Sequence, residues 1–419
     1  LEICFFDFSA DCYRKVQLAE KEREMKLTEE TPFFFIYSVW TKNGEYREQV
    51  KRLVTDYDNY ISLKLAGDDA YLSEKMVGYP AELDEVYAES FEEQKKEWFS
   101  CVGDGIQECR NTWEHKKWNI TDLPEFELAI TIDRPELYYD FLQKDWTRFC
   151  HDYWKNNFLE HHTLSKKRVT RIYIGNQFCH NLFPRKKLLF QVLEKALENN
   201  LAVTLAFSYI RNHLLEEIDE LLQELEVWCQ SREKEAGKDQ EEIIVNDWAM
   251  PILLQGKPHL KPVLGVLLNK RRKDVRLPYK HGIGNHVDSL AENNLNCGFY
   301  QDYLKNTFDI QRFEFESCGY KVTIPDGHHS LHLPFFQTNT SQYCTLYAVC
   351  RYGDRGKQKL PENCPRYCNK KVFLYPKHLK MVGRYNSLFG YDETILWDEK
   401  QLQDYLEQGI DRIVVNVSL

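Results

Sequence analysis

Short apolar runs alternate with amphipathic segments from Thr170 to the end of the chain. The apolar runs have the length and the β-branched composition of buried strands, and they read RIYIG (171–175), LAVTLAF (201–207), EIIVN (242–246), VLGVLLN (263–269), RFEFES, SLHLP, KVFLYP and RIVVNV. Two of the intervening segments, 186–200 and 213–229, carry leucines at helical spacing. Regular alternation of strands and helices predicts a parallel sheet covered by helices.

This pattern predicts an α/β fold for residues 166–419, a TIM-like barrel that is either closed or incomplete. In such barrels the chemistry lies just after the strands. That rule places Cys179 after the run RIYIG, Asn246 and Asp247 after EIIVN, and a cysteine-rich segment after SLHLP at one end of the barrel.

Residues 1–165 are predicted to form a separate acidic α+β domain. They contain a strand-like run, LAITI, followed by a helical segment, and they carry 34 acidic against 20 basic residues, a net charge of -14. The remaining residues carry 31 against 35, a net charge of +4. An acidic surface repels phosphate backbones and attracts cationic peptides or partners. Nucleic acid is therefore the less favoured partner, and an ordinary solvated acidic surface is the alternative.

Composition limits the class of protein further. A chain of 419 residues exceeds the usual size of one domain. It contains no run of about 18 apolar residues, so no membrane span is predicted, and the first residues lack the basic region of a signal peptide. Thirteen cysteines, an odd number in a large chain, indicate reduced thiols and a cytoplasmic location.

Four cysteines, Cys344, Cys350, Cys364 and Cys368, lie within twenty-five residues. Thiolates gathered in this way suit either zinc or an iron–sulfur cluster. Zinc ribbons commonly use two CxxC pairs, whereas the close pair here is C-x3-C. The spacing therefore favours iron–sulfur, with zinc as the alternative.

Several motifs resemble those of the collagenase-like peptidase family, of unassigned peptidase class, and most closely its anaerobic ubiquinone-biosynthesis members. The motifs are YIGNQFC (173–179), VTLAF (203–207), VNDWAM (245–250), TSQYCT (340–345), CPRYC (364–368) and FLYP (373–376). The resemblance covers about residues 168–380, roughly half of the chain.

The resemblance implies a TIM-like barrel with a 4Fe–4S cluster and a role in oxygen-independent hydroxylation of a quinone precursor or of RNA bases. The implied cluster ligands are Cys179, Cys344, Cys364 and Cys368. Cys350 is the alternative to Cys344, because its spacing to Cys364 also fits the family. The resemblance further implies a heterodimer with a related barrel protein.

Two residues are candidates for catalysis. Asp247 is placed to anchor a substrate hydroxyl or to orient a water, although such a residue also caps helices. His332, in the run HHSLHLPF, is placed to relay protons, and simple solvation is the alternative reading for these histidines and for His281 and His286. Zinc-peptidase spacing such as HExxH is missing, so proteolysis is not expected.

The sequence also points to residues around the cysteines. Arg351, Arg355 and Arg366 lie close to the thiols in the chain and are candidates to balance cluster charge. The segment 381–397 is predicted to be either a binding loop or a tight turn.

Two functions follow. The favoured one is an iron–sulfur enzyme that hydroxylates, or otherwise changes the redox state of, a small molecule or peptide. The alternative is a non-catalytic module in which a zinc or iron–sulfur knot braces the barrel and the acidic region recruits a basic partner. Hydroxylation of RNA bases ranks lower, because the net charge of -10 gives no broad basic surface.

Overall fold

The structure is a computed structural model that describes residues 4–7, 12–15, 24–30, 35–40, 44, 82–87, 89–100, 123–236, 241–271, 273, 275, 291–361, 363–375 and 379–419. The chain divides into two compact units. The first comprises residues 1–82 and 375–379, and the second comprises residues 83–374 and 380–419.

The strands, in chain order, are β1 Cys4–Asp7, β2 Cys12–Lys15, β3 Glu24–Glu30, β4 Phe35–Trp40, β5 Glu82–Leu83, β6 Glu127–Ile132, β7 Arg171–Gly175, β8 Ala202–Ala206, β9 Glu241–Val245, β10 Leu260–Leu264, β11 Glu314–Glu316, β12 His329–Leu333, β13 Phe335–Thr340, β14 Phe373–Leu374, β15 Met381–Arg384, β16 Ser387–Tyr391 and β17 Ile410–Val415.

The α-helices are α1 Phe91–Ser100, α2 Pro135–Gln143, α3 Trp146–Asn156, α4 Lys186–Glu198, α5 Leu215–Ala236, α6 Ala249–Leu253, α7 Gly298–Phe308, α8 Thr345–Tyr352 and α9 Glu399–Glu407. Among the residues searched, none of the helices has both the length and the apolar character needed to cross a membrane.

The second unit is built on an eight-stranded parallel sheet. Its strand order is β10-β9-β8-β7-β6-β17-β12-β11, so each strand lies beside its neighbour in the chain and the last strand, β17, pairs with the first, β6. A single parallel bridge between Leu264 and Phe313 joins the two edges. The predicted TIM-like α/β barrel is therefore confirmed, as a nearly closed ring of eight strands surrounded by helices.

The barrel interior follows from the two-residue period of the strands. A middle layer of buried side chains comes from six strands: Ala129, Tyr173, Ala206, Ile244, Val263 and Val414. Two residues earlier on β6, β9 and β17 lie Glu127, Glu242 and Arg412, which form ion pairs near the amino-terminal end of the barrel. Two residues later lie the positions that face the carboxyl-terminal mouth.

The boundary between the two parts of the chain differs from the predicted one at 165/166. The run LAITI belongs to β6, which pairs with both β7 and β17 and is the first strand of the barrel. The compact second unit begins at Leu83. Sequence reasoning divided the chain by charge, but net charge is a property of the surface and does not exclude a buried strand within an acidic region.

A small sheet has the strand order β13-β16-β15-β14-β5. Its strands β13 to β16 pair antiparallel and are inserted in the chain between β12 and β17, and β5 lies at its edge. Helix α1 packs on it, since Trp98 stacks on Tyr391 with ring centroids 5.4 Å apart and Phe99 lies 6.1 Å from Phe335. This insertion carries Cys344, Cys364 and Cys368, so it brings the cysteine-rich segment to the barrel mouth.

The first unit is described only in part. Strands β1 and β2 form one antiparallel hairpin, and β3 and β4 form another. Within the predicted acidic α+β domain of residues 1–165, the described residues from Leu83 onward belong to the second unit. Most of residues 1–82 lie outside the described residues.

Candidate functional site

The four cysteines singled out by the family resemblance line one pocket. Cys179 follows β7, Cys344 precedes α8, and Cys364 and Cys368 lie in the segment that leads from α8 to β14. Parallel strands end at the same side of a barrel, so the loops after β7 and β12 meet there. Residues separated by as many as 189 positions thus come to share one pocket.

The turn before Cys179 is fixed by Asn176. The side-chain Oδ1 of Asn176 accepts hydrogen bonds from the backbone N–H groups of Phe178 and Cys179, both at 2.9 Å. An asparagine that binds the backbone two and three residues later is a common way to make a tight turn. The motif GNQFC therefore holds Cys179 at the pocket wall.

Cys344 is the N-cap residue of α8. Its Sγ accepts a hydrogen bond from the backbone N–H of Tyr347 at 3.3 Å and donates one to the carbonyl oxygen of Tyr385 at 2.9 Å. The positive end of a helix dipole favours a thiolate at this position. A metal-bound thiolate of Cys344 would still accept the hydrogen bond from Tyr347, but it would have no proton to donate to Tyr385.

Cys368 is held through its backbone. Its carbonyl oxygen accepts two hydrogen bonds from Arg384, from Nε at 3.1 Å and from Nη2 at 2.9 Å. Arg384 ends β15, and the two-residue turn that follows it places Tyr385 and Asn386 in the pocket wall. Residues 381–391 of the segment 381–397 thus form a strand hairpin with a tight turn, and the turn itself lines the site.

Burial and the proximity of the thiols to one another disfavour thiolates in this pocket. Burial raises the pKa of Cys179 to about 11 and that of Cys368 to about 12, and it raises the pKa of Cys344 as well. Repulsion from the neighbouring thiolates adds to each increase, whereas Arg211 lowers the pKa of Cys179 and Arg384 that of Cys368. The three thiols are therefore protonated at neutral pH unless a cation binds them.

Two residues that line this pocket, Arg211 and Asn386, each have a buried polar atom without a hydrogen-bond partner among the described residues. The atoms are Arg211 Nε, a donor, and Asn386 Oδ1, an acceptor. Such atoms are costly when buried. They indicate that the pocket is completed by something other than these side chains.

The described residues contain no group of three or more His, Cys, Asp or Glu side chains that is placed to hold a metal ion. The four cysteines therefore surround the pocket without converging on one point as they stand.

Cys350 lies apart from this pocket. It is on the last turn of α8, half-buried, and the charged residue that influences its pKa is Asp84. The structure therefore brings Cys344, and not Cys350, to the other three cysteines.

The arginines near the pocket are not those expected from chain proximity. Arg351 and Arg355 are exposed, and Arg355 lies over the ring of Phe373. Arg366 donates to the carbonyl oxygen of Asn181 at 3.3 Å. Arg211 and Arg384 are the ones that act on the cysteines, and only the tertiary fold brings Arg211 there.

A second cavity, here called the barrel-mouth cavity, lies beside the cysteine pocket. The two share Tyr385 in their walls. The polar side chains that line the barrel-mouth cavity are Thr131, Asp133, Tyr173, Asn176, Gln177, Glu316, His332, Tyr385 and Asn416. A cavity with a few polar groups at the carboxyl end of barrel strands is the usual place for a substrate.

His332, a predicted catalytic residue, lies in this cavity wall. It comes from β12, and its Nε2 lies 2.5 Å from Oε2 of Glu314 on β11. His328 is exposed beside Asp411, and His329 is stacked on Phe313 with ring centroids 4.8 Å apart. His281 and His286 lie outside the described residues.

Asp133 is a cavity residue that sequence reasoning missed. It follows β6, and its Oδ1 has no hydrogen-bond partner among the described residues, while the hydroxyl of Tyr385 lies 3.4 Å from its Oδ2. Burial raises the pKa of Asp133, and Arg134 and Arg384 oppose that increase. The rule of strand ends would have found Asp133 if LAITI had been assigned to the barrel.

Asp247, the other predicted catalytic residue, caps the start of α6. Its Oδ1 accepts hydrogen bonds from the backbone N–H groups of Ala249 and Met250, each at 3.1 Å, and its Oδ2 accepts one from Ile210. It lines neither the cysteine pocket nor the barrel-mouth cavity. Asp247 therefore has the position of a helix cap, which was the alternative to a catalytic role.

Comparisons with protein-family models, with curated proteins and with solved structures give no match for this chain. The resemblance drawn from the sequence motifs thus stays a prediction.

Proposed function

We propose that this chain is an iron–sulfur oxidoreductase. Cys179, Cys344, Cys364 and Cys368 would hold a 4Fe–4S cluster, and the substrate, a small molecule or peptide, would occupy the barrel-mouth cavity for an oxygen-independent hydroxylation or a related redox change. The observation that carries this proposal is the gathering of the four thiols around one pocket next to that cavity.

The donor set fits such a group. Each cysteine of a 4Fe–4S cluster binds a different iron, so the four sulfurs need to surround a volume and not to meet at a single point. Arg211 and Arg384 act electrostatically on Cys179 and Cys368, and an anionic cluster would be stabilised by these charges. The unpartnered Nε of Arg211 is a donor suited to cluster sulfur.

The chain's own residues would bind the substrate and manage its protons. When bound, a 4Fe–4S cluster supplies single electrons. Asp133 and Glu316 would orient the polar groups of the substrate, and His332 would hold or transfer a proton in the same cavity. Tyr385, shared by both walls, would separate the substrate from the thiols.

The test is anaerobic purification followed by iron, sulfide and zinc analysis. We expect about four irons and four sulfides per chain, with loss of the cluster in the single variants Cys179→Ser, Cys344→Ser, Cys364→Ser and Cys368→Ser. Cys350→Ser is the matched control, because it changes a cysteine near the opposite end of the same helix and outside the pocket, and it should retain the full cluster.

Two outcomes would overturn the proposal. Stoichiometric zinc, or the absence of any metal, would remove the redox function and leave the structural knot as the better account. If the cluster were lost in Cys350→Ser and retained in Cys344→Ser, Cys350 would be the ligand in place of Cys344.

A further inference from the structure

A continuous line of buried hydrogen bonds runs through the barrel to His332. Arg412 donates from Nη1 to the hydroxyl oxygen of Tyr173 at 3.2 Å, and that hydroxyl lies 3.1 Å from Oε1 of Glu314. Glu314 Oε2 lies 2.5 Å from Nε2 of His332. Glu314 is fully buried, and Tyr173 and His332 are almost so.

The first member of this line fixes the direction of the bonds made by Tyr173. A guanidinium only donates, so Tyr173 receives a hydrogen bond from Arg412 and has its own proton to give. Its nearest acceptor is Glu314, because the other contact, with Ser330, is longer at 3.4 Å. Glu314 therefore accepts at Oε1. Against the effect of burial, the bond with His332 and the charge of Arg412 lower the pKa of Glu314, so it is a carboxylate, and His332 must carry its proton on Nε2 in order to donate to Oε2.

The remaining nitrogen of His332, Nδ1, is left as an acceptor. It has no hydrogen bond to another described residue, and His332 lines the barrel-mouth cavity. We propose that Glu314 positions His332 as the general base of this cavity, with Nδ1 accepting a proton from an O–H or N–H group of the bound substrate.

The proton transfer is balanced within the site. The substrate X–H bond breaks and an N–H bond forms at Nδ1, which leaves the conjugate base of the substrate and an imidazolium. The Glu314 carboxylate then faces a cation across the existing Nε2 bond, which stabilises the charged ring without a second proton transfer. No oxidant is consumed in this step.

Charged groups around the ring support this assignment. Hydrogen bonding from His332 is the main influence that lowers the pKa of Glu314 against the effect of burial, and Arg412 adds to it. Glu242 on β9 acts in the opposite direction. The other titratable residues of the cavity wall are Glu316, Asp133, Tyr173 and Tyr385, and Glu316 is paired with Lys273 at 2.5 Å.

The inference depends on the proposed function only in taking the barrel-mouth cavity as the substrate site. It is tested by nitrogen NMR of the full chain labelled with ¹⁵N-histidine, with the His332 signals assigned from a His332→Gln variant. We expect Nε2 protonated and Nδ1 unprotonated in the neutral ring. Phenol, added as a simple O–H donor, should shift the Nδ1 signal more than the Nε2 signal.

Variants test the positioning role of Glu314. In Glu314→Gln the amide can donate to Nε2, so the proton of the neutral ring should move to Nδ1. Tyr173→Phe should weaken the preference for Nε2. Tyr138→Phe is the matched control: it removes another buried hydroxyl, bonded to the carbonyl oxygen of Leu182 at 2.9 Å, and should leave His332 unchanged.

A proton on Nδ1 in the unsubstituted chain would overturn the inference without the need for any variant to fold, and so would a phenol response confined to Nε2. The NMR result does not depend on iron. A chain without a cluster but with the expected tautomer would thus count against the proposed function alone, whereas a chain with a cluster and the opposite tautomer would count against Glu314 alone.

Discussion

Single residues determine the path of the backbone at the cysteine pocket, and Gly175 is the clearest example. It ends β7 with a φ of +111°, a conformation that side chains disfavour. A Cβ atom there would lie 2.6 Å from the carbonyl oxygen of Ala206 and 2.7 Å from the ring of Phe183. Only glycine therefore allows the turn through Asn176 to Cys179.

We expect Gly175→Ala to lower the free energy of unfolding by at least about 2 kcal/mol, because the backbone strain and the contact with a carbonyl oxygen add together. Urea denaturation measures this change. Gly298→Ala is the control, since a Cβ at that position meets nothing within 4 Å, and its effect should stay below about 0.5 kcal/mol. Equal effects of the two substitutions would contradict the argument.

His162 makes stability depend on pH. It is buried, its Nδ1 accepts from the backbone N–H of Leu164 at 3.1 Å, and its Nε2 lies 2.6 Å from the carbonyl oxygen of Leu396. Burial lowers its pKa to about 4. Because the unfolded chain takes up this proton near pH 6.5 and the folded chain does not, stability is lost as the pH falls from about 6.5 towards 4, and His329 acts in the same direction.

The expected result for His162→Asn is a shallower decline of stability over that range, by up to about 3 kcal/mol. Asparagine can still accept from Leu164 as an N-cap, but it does not titrate. Urea midpoints from pH 7 to pH 4 measure this, with the exposed neighbour His161→Asn as the control. A variant whose midpoints run parallel to those of the unsubstituted chain would exclude His162 as a cause.

Strand β9 carries two adjacent glutamates, Glu241 and Glu242, that lie in different electrostatic environments. Glu242 faces the barrel interior, where it pairs with Arg412 at 2.6 Å and Arg171 at 3.3 Å, and these arginines lower its pKa to about 2. Its neighbour Glu241 lies 3.5 Å from Arg232, and burial raises its pKa to about 7. The alternation of a strand places two identical residues in opposite electrostatic settings.

Neutralising the two glutamates should therefore give different results. Glu242→Gln leaves Arg171 and Arg412 with Glu127 as their remaining carboxylate partner, and we expect a loss of about 3 kcal/mol in the free energy of unfolding. Glu241→Gln removes a carboxylate that is already costly to ionise, so its effect at pH 7 should be smaller than about 1 kcal/mol. A larger loss from Glu241→Gln than from Glu242→Gln would show that the assignment of faces is wrong.

The whole molecule depends on closure of the barrel by β6. This strand lies between β7 and β17 and buries Leu128, Ile130 and Ile132. A protein that starts at residue 166, the boundary drawn from charge, would lack it and would leave two strand edges unpaired.

We expect a fragment of residues 83–419 to unfold cooperatively on heating, as seen by circular dichroism, and a fragment of residues 166–419 to aggregate or to give no cooperative transition, because an open parallel sheet exposes its edges and its apolar faces. Size-exclusion chromatography of both fragments serves as a second measurement. A stable, monomeric 166–419 fragment would contradict the role assigned to β6.

The sequence by itself determined the strand and helix alternation and the position of Cys179 after a strand. These features depend on residues that are close in the chain, and hydrophobic periodicity records such short-range order directly. It also gave His332, although without the partners that fix its proton.

Tertiary structure alone decided which distant groups share an environment. Closure of the barrel placed β6 beside β17, brought Arg211 to Cys179, and set Glu314 between Tyr173 and His332. Each of these contacts depends on which strands become neighbours, and that choice comes from burial of the whole sheet, so no short stretch of sequence contains it.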